Sequence, residues 1–405
     1  MTMRVLIAGS GVAGGVIAAA LREIEGLEVI CLERVDSAGH ARAGNGLNIG
    51  PNAVTALAHS SPGLLARLQQ VSLPWKSWHA ASIEGAPLWR LPLSEVAHAD
   101  GLRIRWSDLY GACRMAAGPV VSYCSEVLAA TVAAQGVSVE VATDGRRRSL
   151  PPADLLIVAE GRFSALRAQL VGPPGIRHLG VANFRVLLDD GGALAIDDLE
   201  QWYSGPNRLL AFRLRDGLIY LSGNLPLSPG RDVPEEMKAA SFLREAYLPA
   251  ACRPAPVPAW LVAAACDSTP RHHWSRAQEI APCYSAAGGR VMFVGDAAHA
   301  MAPTLGQGAT LALEDACAFV NLFRAAWSAK AAREPCIDLP RLAHRFESVR
   351  RERVDFIRQF SWDASDSLLA GADAEALVRE KAGAAWRERF ARMYRGAATL
   401  ADAAY

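Results

Sequence analysis

The chain begins with a short apolar run, Arg4-Val5-Leu6-Ile7-Ala8, that leads directly into Gly9-Ser10-Gly11-Val12-Ala13-Gly14. Three glycines at this spacing after a strand constrain the backbone in three separate ways. Gly9 permits a tight turn, Gly11 lets backbone approach a pyrophosphate, and Gly14 lets a helix pack closely on a strand. Val16 to Glu23 carries helical propensity, and Glu28-Val29-Ile30-Cys31-Leu32-Glu33 is a second buried strand. The segment therefore predicts a right-handed βαβ unit with parallel strands and an anion-attracting helix start. Glu33 lies about 20 residues beyond the fingerprint, where a carboxylate can accept ribose hydroxyls and repel a 2′-phosphate. Arg34 beside it is either an adenine-stacking or a solvated residue.

A second segment sits in the last third of the chain. The apolar run Arg290-Val291-Met292-Phe293-Val294 precedes Gly295-Asp296-Ala297-Ala298-His299, and Pro303 precedes Gly306-Gln307-Gly308. A carboxylate at the end of a buried strand occupies the edge at which open α/β sheets bind ligands, so Asp296 is expected to take a ribityl hydroxyl. Ala309 to Phe323 predicts a helix whose positive end stabilises the charge of a reduced flavin. Both segments together point to one extended cofactor, FAD, held across a discontinuous domain.

At 405 residues, 51% hydrophobic and 20% charged, the chain has material for two domains. A net charge of +1 gives no global field toward nucleic acid or an anionic membrane. Eight cysteines without a C-x-x-C pair, and the lack of a signal-like leader, lead us to expect a reduced, cytoplasmic protein. The fold class expected is α/β with an α+β insert. Residues 1–75, 100–180 and 270–335 would form the discontinuous Rossmann-like domain, 76–99 and 181–269 an inserted β-sheet domain, and 336–405 C-terminal helices. A helix is expected around Glu235 to Tyr247, and Pro249 to Pro258 separates the insert from the return leg. Asp144-Gly145 signals a hairpin with Arg146-Arg147-Arg148 at its solvated tip. The arginines between Arg341 and Arg358 are expected on a helix's outer face, where a dimer contact is the other option. His272-His273 has no i, i+4 partner, so no metal site is expected.

With those motifs in view, the sequence resembles the single-component (class A) FAD-dependent aromatic hydroxylases, relatives of 4-hydroxybenzoate, salicylate and 6-hydroxynicotinate hydroxylases. The resemblance spans nearly the whole chain. It rests on Gly295 to Gly308 with Glu314-Asp315-Ala316, and on Gly44 to Asn52 preceded by Arg42, similar to the family's segment beneath the flavin. Two departures stand out. Glu160-Gly161-Arg162-Phe163-Ser164 carries Glu where the family has Asp, and Trp106 occupies a usual Arg position, so Arg105 is the candidate for that cofactor contact.

The resemblance implies that NADH or NADPH transiently reduces the flavin and that O2 forms a C4a-hydroperoxide, which hydroxylates a small phenolic or hydroxypyridine substrate that bears a carboxylate. Asn48 would orient the reaction beside Pro303, while Arg185, Tyr203 and Tyr220 on insert strands could anchor the substrate or serve only in packing. No nucleic acid or membrane partner is implied, and the protein would be a monomer or homodimer. The other readings are a flavin-dependent halogenase or oxidase and, from a different class, a non-catalytic nucleotide sensor. The halogenase reading is weakened because no W-x-W-x-x-I pattern occurs.

Overall fold

In the computed structural model, which describes residues 2–38, 45–333 and 337–396, the first strand is Met3–Ala8. It pairs in parallel with Leu27–Leu32 on one side and Leu155–Val158 on the other. Val291–Phe293 runs parallel beyond Leu155–Val158, short Val121–Ser122 closes one edge, and antiparallel Ser285–Ala286 closes the other. Val5, Leu6 and Ile7 are fully buried, as continuous apolar runs are in a parallel sheet covered on both faces. Because these principal strands share a direction, the turns that follow them emerge at one carboxyl edge. Gly9, Glu33, Ala159–Gly161 and Gly295 meet there despite separations of up to 286 residues in the chain.

The hairpin expected at Asp144-Gly145 joins Gly136–Thr143 to Arg146–Ser149. Both turn residues have positive φ, 49° and 76°, which matches the twist of the flanking strands. All three arginines lie on the exposed outer strand of a three-stranded sheet.

A second sheet has seven strands in the order His273–Ile280, Ile176–Leu188, Ile219–Pro226, Asn207–Arg213, Leu199–Ser204, Ser77–Ser82 and Pro87–Pro92. Its strands run from Ile176 to Ile280 on the insert side, so the limits expected at 181 and 269 fall short. The apolar alternation that marks a strand does not stop where glycine and proline punctuate the chain. The expected helix from Glu235 to Tyr247 is two pieces, a 3₁₀ turn Glu235–Lys238 and a helix Ala240–Tyr247, because Ala239 is extended at ψ 142°. The Pro-rich stretch also starts a helix, Pro256–Asp267, with Pro at its first turn, where no backbone N–H is needed.

The two faces of this sheet differ. Phe184, Leu209, Ala211 and Leu221 pack with Leu243 and Leu261 of the two insert helices. The opposite face, with Tyr203, Phe212 and Tyr220, packs on Met301, Ala302 and Leu305 of the second glycine segment. The small sheet Gly46–Ile49, Gly101–Arg105 and Leu73–Trp75 fills the corner between them.

What fixes the second segment in place is a buried ionic network. Asp315, on the long helix Gly308–Arg333, accepts from the Gly295 amide at 2.7 Å and pairs with His299 Nε2 at 2.7 Å. Arg350, on the helix Leu339–Asp363, is fully buried and donates to Asp315 at 2.6 Å and Glu314 at 3.0 Å. Arg353 donates twice to Glu314, and Asn52 joins Glu314 to Gln307. The outer-face expectation for the arginines near Arg350 is thus corrected: Arg350 and Arg353 point inward because two buried carboxylates require cations. Arg351, which pairs with Glu347, is more exposed.

Burial pushes the Asp315 carboxyl up, but His299, Arg350 and the Gly295 amide outweigh it and hold it at about 2. An unfolded aspartate titrates near about 3.9, so this group's contribution is present above that pH and is lost as pH falls toward 2. Arg350→Met removes the cation that the two buried carboxylates share, leaving Glu314 to Arg353 and Asp315 to His299, and is expected to cost about 3–5 kcal/mol in urea unfolding at pH 7. Asp315→Asn is expected to flatten the fall in stability between pH 4 and pH 2 relative to wild type. A wild-type acid limb in the variant would exclude Asp315 as its source.

Candidate functional site

At the shared carboxyl edge lies a cleft of about 390 Å³ whose walls include Gly9, Gly11, Ala13, Glu33 and Arg34 from the first segment and Gly295, Asp296 and Gly308 from the second. The segments touch one another: a Cβ placed on Gly295 would stand 3.5 Å from the Ala13 Cβ and 3.2 Å from that of Ala312.

Each fingerprint glycine has a distinct spatial reason. Gly9 has φ +97°, and a Cβ there would stand 2.6 Å from the Ala159 carbonyl oxygen. A Cβ on Gly14 would fall 2.0 Å from the Gly9 oxygen, so its place is in the strand–helix contact and outside the cleft lining. A Cβ on Gly11 would meet only the Tyr110 ring, at 4.0 Å. Gly11 is therefore the glycine whose missing side chain leaves open space on the ligand side.

Glu33 is buried and already partnered. Its Oε2 accepts from Ser10 N at 2.8 Å, its Oε1 from Val35 N at 3.2 Å, and Arg114 stands 3.4 Å away. A carboxylate has about four lone-pair sites, so capacity for ribose hydroxyls remains. Arg114, on the helix Trp106–Ala117, lies 5.8 Å from the Tyr110 and Tyr123 ring centres. Neither Arg114 nor Tyr110 belongs to a glycine motif, and only the helical spacing of Trp106, Tyr110 and Arg114 hinted at a shared face. Burial, aided by the charge of Asp296, pushes the Tyr110 hydroxyl up to about 12, so it is a neutral donor at the cleft wall.

Asp296 is the first residue of the short helix Asp296–His299, which Gly295 begins at φ 60° without a side-chain cap. Its carboxylate lines the cleft and makes no hydrogen bond among the described residues. A cap would have consumed it; here it is left for a ligand hydroxyl. Glu160, in contrast, accepts from Ser164 Oγ at 2.7 Å and Leu166 N at 3.2 Å, which ties it to the start of the next helix. Burial raises its pKa. The extra methylene relative to Asp lets the carboxylate reach these donors from the cleft wall, between Ala159 and Arg162.

Arg105 is not part of the cleft. It ends the strand Gly101–Arg105 and forms an ion pair with Asp216 at a hairpin of the second sheet, whereas Trp106 lines the cleft. Consecutive residues at this strand-to-helix junction face different ways, which overturns the expected substitution of Arg105 for the missing arginine. Arg42 lies outside the described residues. Gln307 is fully buried, its amide bonded to Asn52 and to the Leu305 carbonyl, so its side chain is a brace and not a free ligand contact.

The remaining candidates gather on the inner side. A Cβ on Gly306 (φ +66°) would lie 2.7 Å from the Asn48 amide, which places Asn48 against the 3₁₀ turn Pro303–Leu305 and Gly306. Tyr220 stands over Gly46, where a Cβ would be 2.8 Å away, and its ring centre is 4.8 Å from that of Phe212. Tyr203 donates to Gln201 at 3.1 Å, and Arg185 reaches Ser275 at 3.3 Å. The sheet register puts Arg185, Tyr203 and Tyr220 on the face turned toward Met301–Leu305. Among the described residues no group of three His, Cys, Asp or Glu is placed to hold a metal ion.

Comparison with known proteins agrees with this geometry. Residues 260–335 match the family model described as an FAD binding domain. The chain is 31% identical to a 3-amino-4-hydroxybenzoate 2-monooxygenase of Streptomyces platensis over 87% of this chain and 85% of that protein. It is 26% identical to the 6-hydroxynicotinate 3-monooxygenase of Bordetella bronchiseptica over 79% and 82% of the two chains. Klebsiella pneumoniae HpxO, solved with FAD and uric acid, superposes with a TM-score of 0.76 at 22% identity, covering 99% of this chain and 96% of that one. A salicylate hydroxylase substrate complex superposes at 0.72 and 19% identity over 97% and 98%. With the glycine turns, the open Asp296 carboxylate and a relative of this identity and coverage, the chain belongs to the class A FAD-dependent aromatic hydroxylases.

Proposed function

We propose that this protein is an NAD(P)H- and O2-dependent monooxygenase that hydroxylates a small phenolic or hydroxypyridine ring. The observation that carries the reading is the convergence of Gly11, Glu33 and Asp296 on one cleft, with Met301, Ala302 and Leu305 of the second segment packed against the sheet face that bears Tyr203 and Tyr220. Bound FAD, reduced by a nicotinamide, supplies the oxygen-transfer chemistry.

The chain's own residues do the rest. Gly11 admits the pyrophosphate to the helix start, Glu33 takes the adenosine ribose, and Asp296 takes a ribityl hydroxyl. The amide end of the helix Gly308–Arg333, which lines the cleft, would favour negative charge on a bound flavin. Asn48, Gly306 and Pro303, which pack together, would hold the flavin ring. The buried face of the seven-stranded sheet excludes water from the reacting centre, which protects a reactive oxygen donor from wasteful decay. The seven described cysteines are all free. No described helix is long and apolar enough to cross a membrane.

A colourless sensor of nucleotide would use the first glycine segment alone, and Asp296 would then have no ligand. Two measurements separate these readings. Asp296→Ala and Gly11→Leu are each expected to lower flavin content at least about tenfold with little change in the urea midpoint, since the Asp296 carboxylate makes no hydrogen bond among the described residues and a Cβ on Gly11 would meet only the Tyr110 ring, at 4.0 Å. Full flavin retention in Asp296→Ala would remove its ribityl role. In turnover, a panel of phenolic and pyridine acids is expected to stimulate NAD(P)H oxidation with formation of hydroxylated product. An oxidation rate that no ring compound changes would contradict the hydroxylase reading.

A further inference from the structure

The 3₁₀ turn Pro303–Leu305 and the glycine after it meet two environments. Pro303 and Gly306 are half-buried, with Gly306 against Asn48, whereas Thr304 and Leu305 between them are buried. Ala302 and Leu305 share an apolar cluster with Ile357, Phe360, Ala364 and Leu368, at the end of the helix Leu339–Asp363 and just beyond it. Apolar contact is non-directional, so it holds the turn close without fixing its rotation. A polar contact crosses the same cluster: the Thr304 hydroxyl lies 2.5 Å from that of Ser365, 61 residues later, and both side chains are buried.

The surroundings fix the direction of that contact. Ser365 Oγ carries a single proton and gives it to the Ser361 carbonyl one helical turn back, at 2.7 Å, so Thr304 is the donor and Ser365 the acceptor. The acceptor is itself held still. The Lys381 ammonium donates to the Ala364 carbonyl at 3.0 Å, to Asp366 at 2.6 Å and to Ser367 at 2.9 Å, which uses its three protons and closes the helix end on both sides of Ser365. The 3₁₀ turn Asp366–Leu368 that follows lies against the strand Ile219–Pro226, which carries Tyr220. Thr304 is thus tied to a braced point of the chain.

We propose that Thr304 and Ser365 are positioning residues whose hydrogen bond sets the orientation of the Pro303–Leu305 turn, and with it the packing of Gly306 on Asn48 in the group that would hold the flavin ring. The effect on turnover rests on the hydroxylase reading; the effect on exposure of the ring stands without it. A turn free to rotate admits water where apolar walls exclude it. One NAD(P)H, one proton and one O2 then give NAD(P)+ and H2O2. In the coupled reaction the same three reactants place one oxygen atom on the ring compound and release the other as water.

FAD-loaded wild type is compared with Thr304→Val, Ser365→Ala and the double variant by iodide quenching of flavin fluorescence and, with a ring compound that wild type hydroxylates, by the peroxide formed per NAD(P)H oxidised. Each single variant is expected to raise the quenching constant and the peroxide share at least about threefold, at unchanged flavin content and unchanged KM for the ring compound. The double variant is expected to be no worse than Ser365→Ala, because both changes remove one contact. Thr304→Ser keeps the donor and is expected to match wild type. Wild-type quenching in Thr304→Val, additive effects in the double variant, or elevated quenching in Thr304→Ser would overturn the assignment, as would a lowered urea midpoint with neither readout moved. If Thr304→Val fails to fold, Ser365→Ala and Thr304→Ser decide by quenching. Should no ring compound give product with wild type, the hydroxylase reading fails while quenching still decides this one.

Discussion

Glu314 and Asp315, two carboxylates with no exposure, hold this molecule to one arrangement. Removing them from water is paid for only because Arg350, Arg353 and His299 surround them, and the partners come from two separate parts of the chain. Asp315 captures the Gly295 amide, which sets the turn that presents Asp296. Glu314 captures Asn52, which anchors the segment carrying Asn48. The C-terminal helix Leu339–Asp363 is therefore tied to the cofactor cleft by charge as well as by the packing of Phe346, Val354 and Ile357.

This arrangement separates the work of the two sheets. The parallel sheet brings four turns to one edge and so makes a long, polar cleft suited to a dinucleotide. The mainly antiparallel sheet shows one apolar face to its own helices and a mixed face to Met301, Ala302 and Leu305 of the second glycine segment. Where the two meet, Gly46 and Gly306 allow Tyr220 and Asn48 to approach distances that any side chain would forbid.

Much of this was legible in the sequence where backbone conformation is at stake. Gly9 and Gly14 sit where a tight turn and a close helix–strand contact leave no room for a side chain, and Asp144-Gly145 takes the left-handed conformation a tight hairpin needs. Charge was harder to place. Arg350 and Arg351 are adjacent in a run rich in Arg and Glu, yet one is fully buried and the other half-exposed; only the carboxylates 35 residues earlier, on another helix, distinguish them. Arg105 and Trp106 show the same limit, since one residue of phase decides which enters the cleft. Proline misled in a different way: Pro256 marks a boundary in sequence but starts a helix, because its fixed φ suits the first turn.

The central claim is that both glycine segments close on the two ends of one molecule. Hydrogen–deuterium exchange of the apoprotein with added FAD, compared with added ADP, tests it most directly. The account predicts that FAD slows exchange together at residues 9–14 and 295–308, while ADP slows only the first stretch. Protection by FAD confined to residues 9–14 would contradict it.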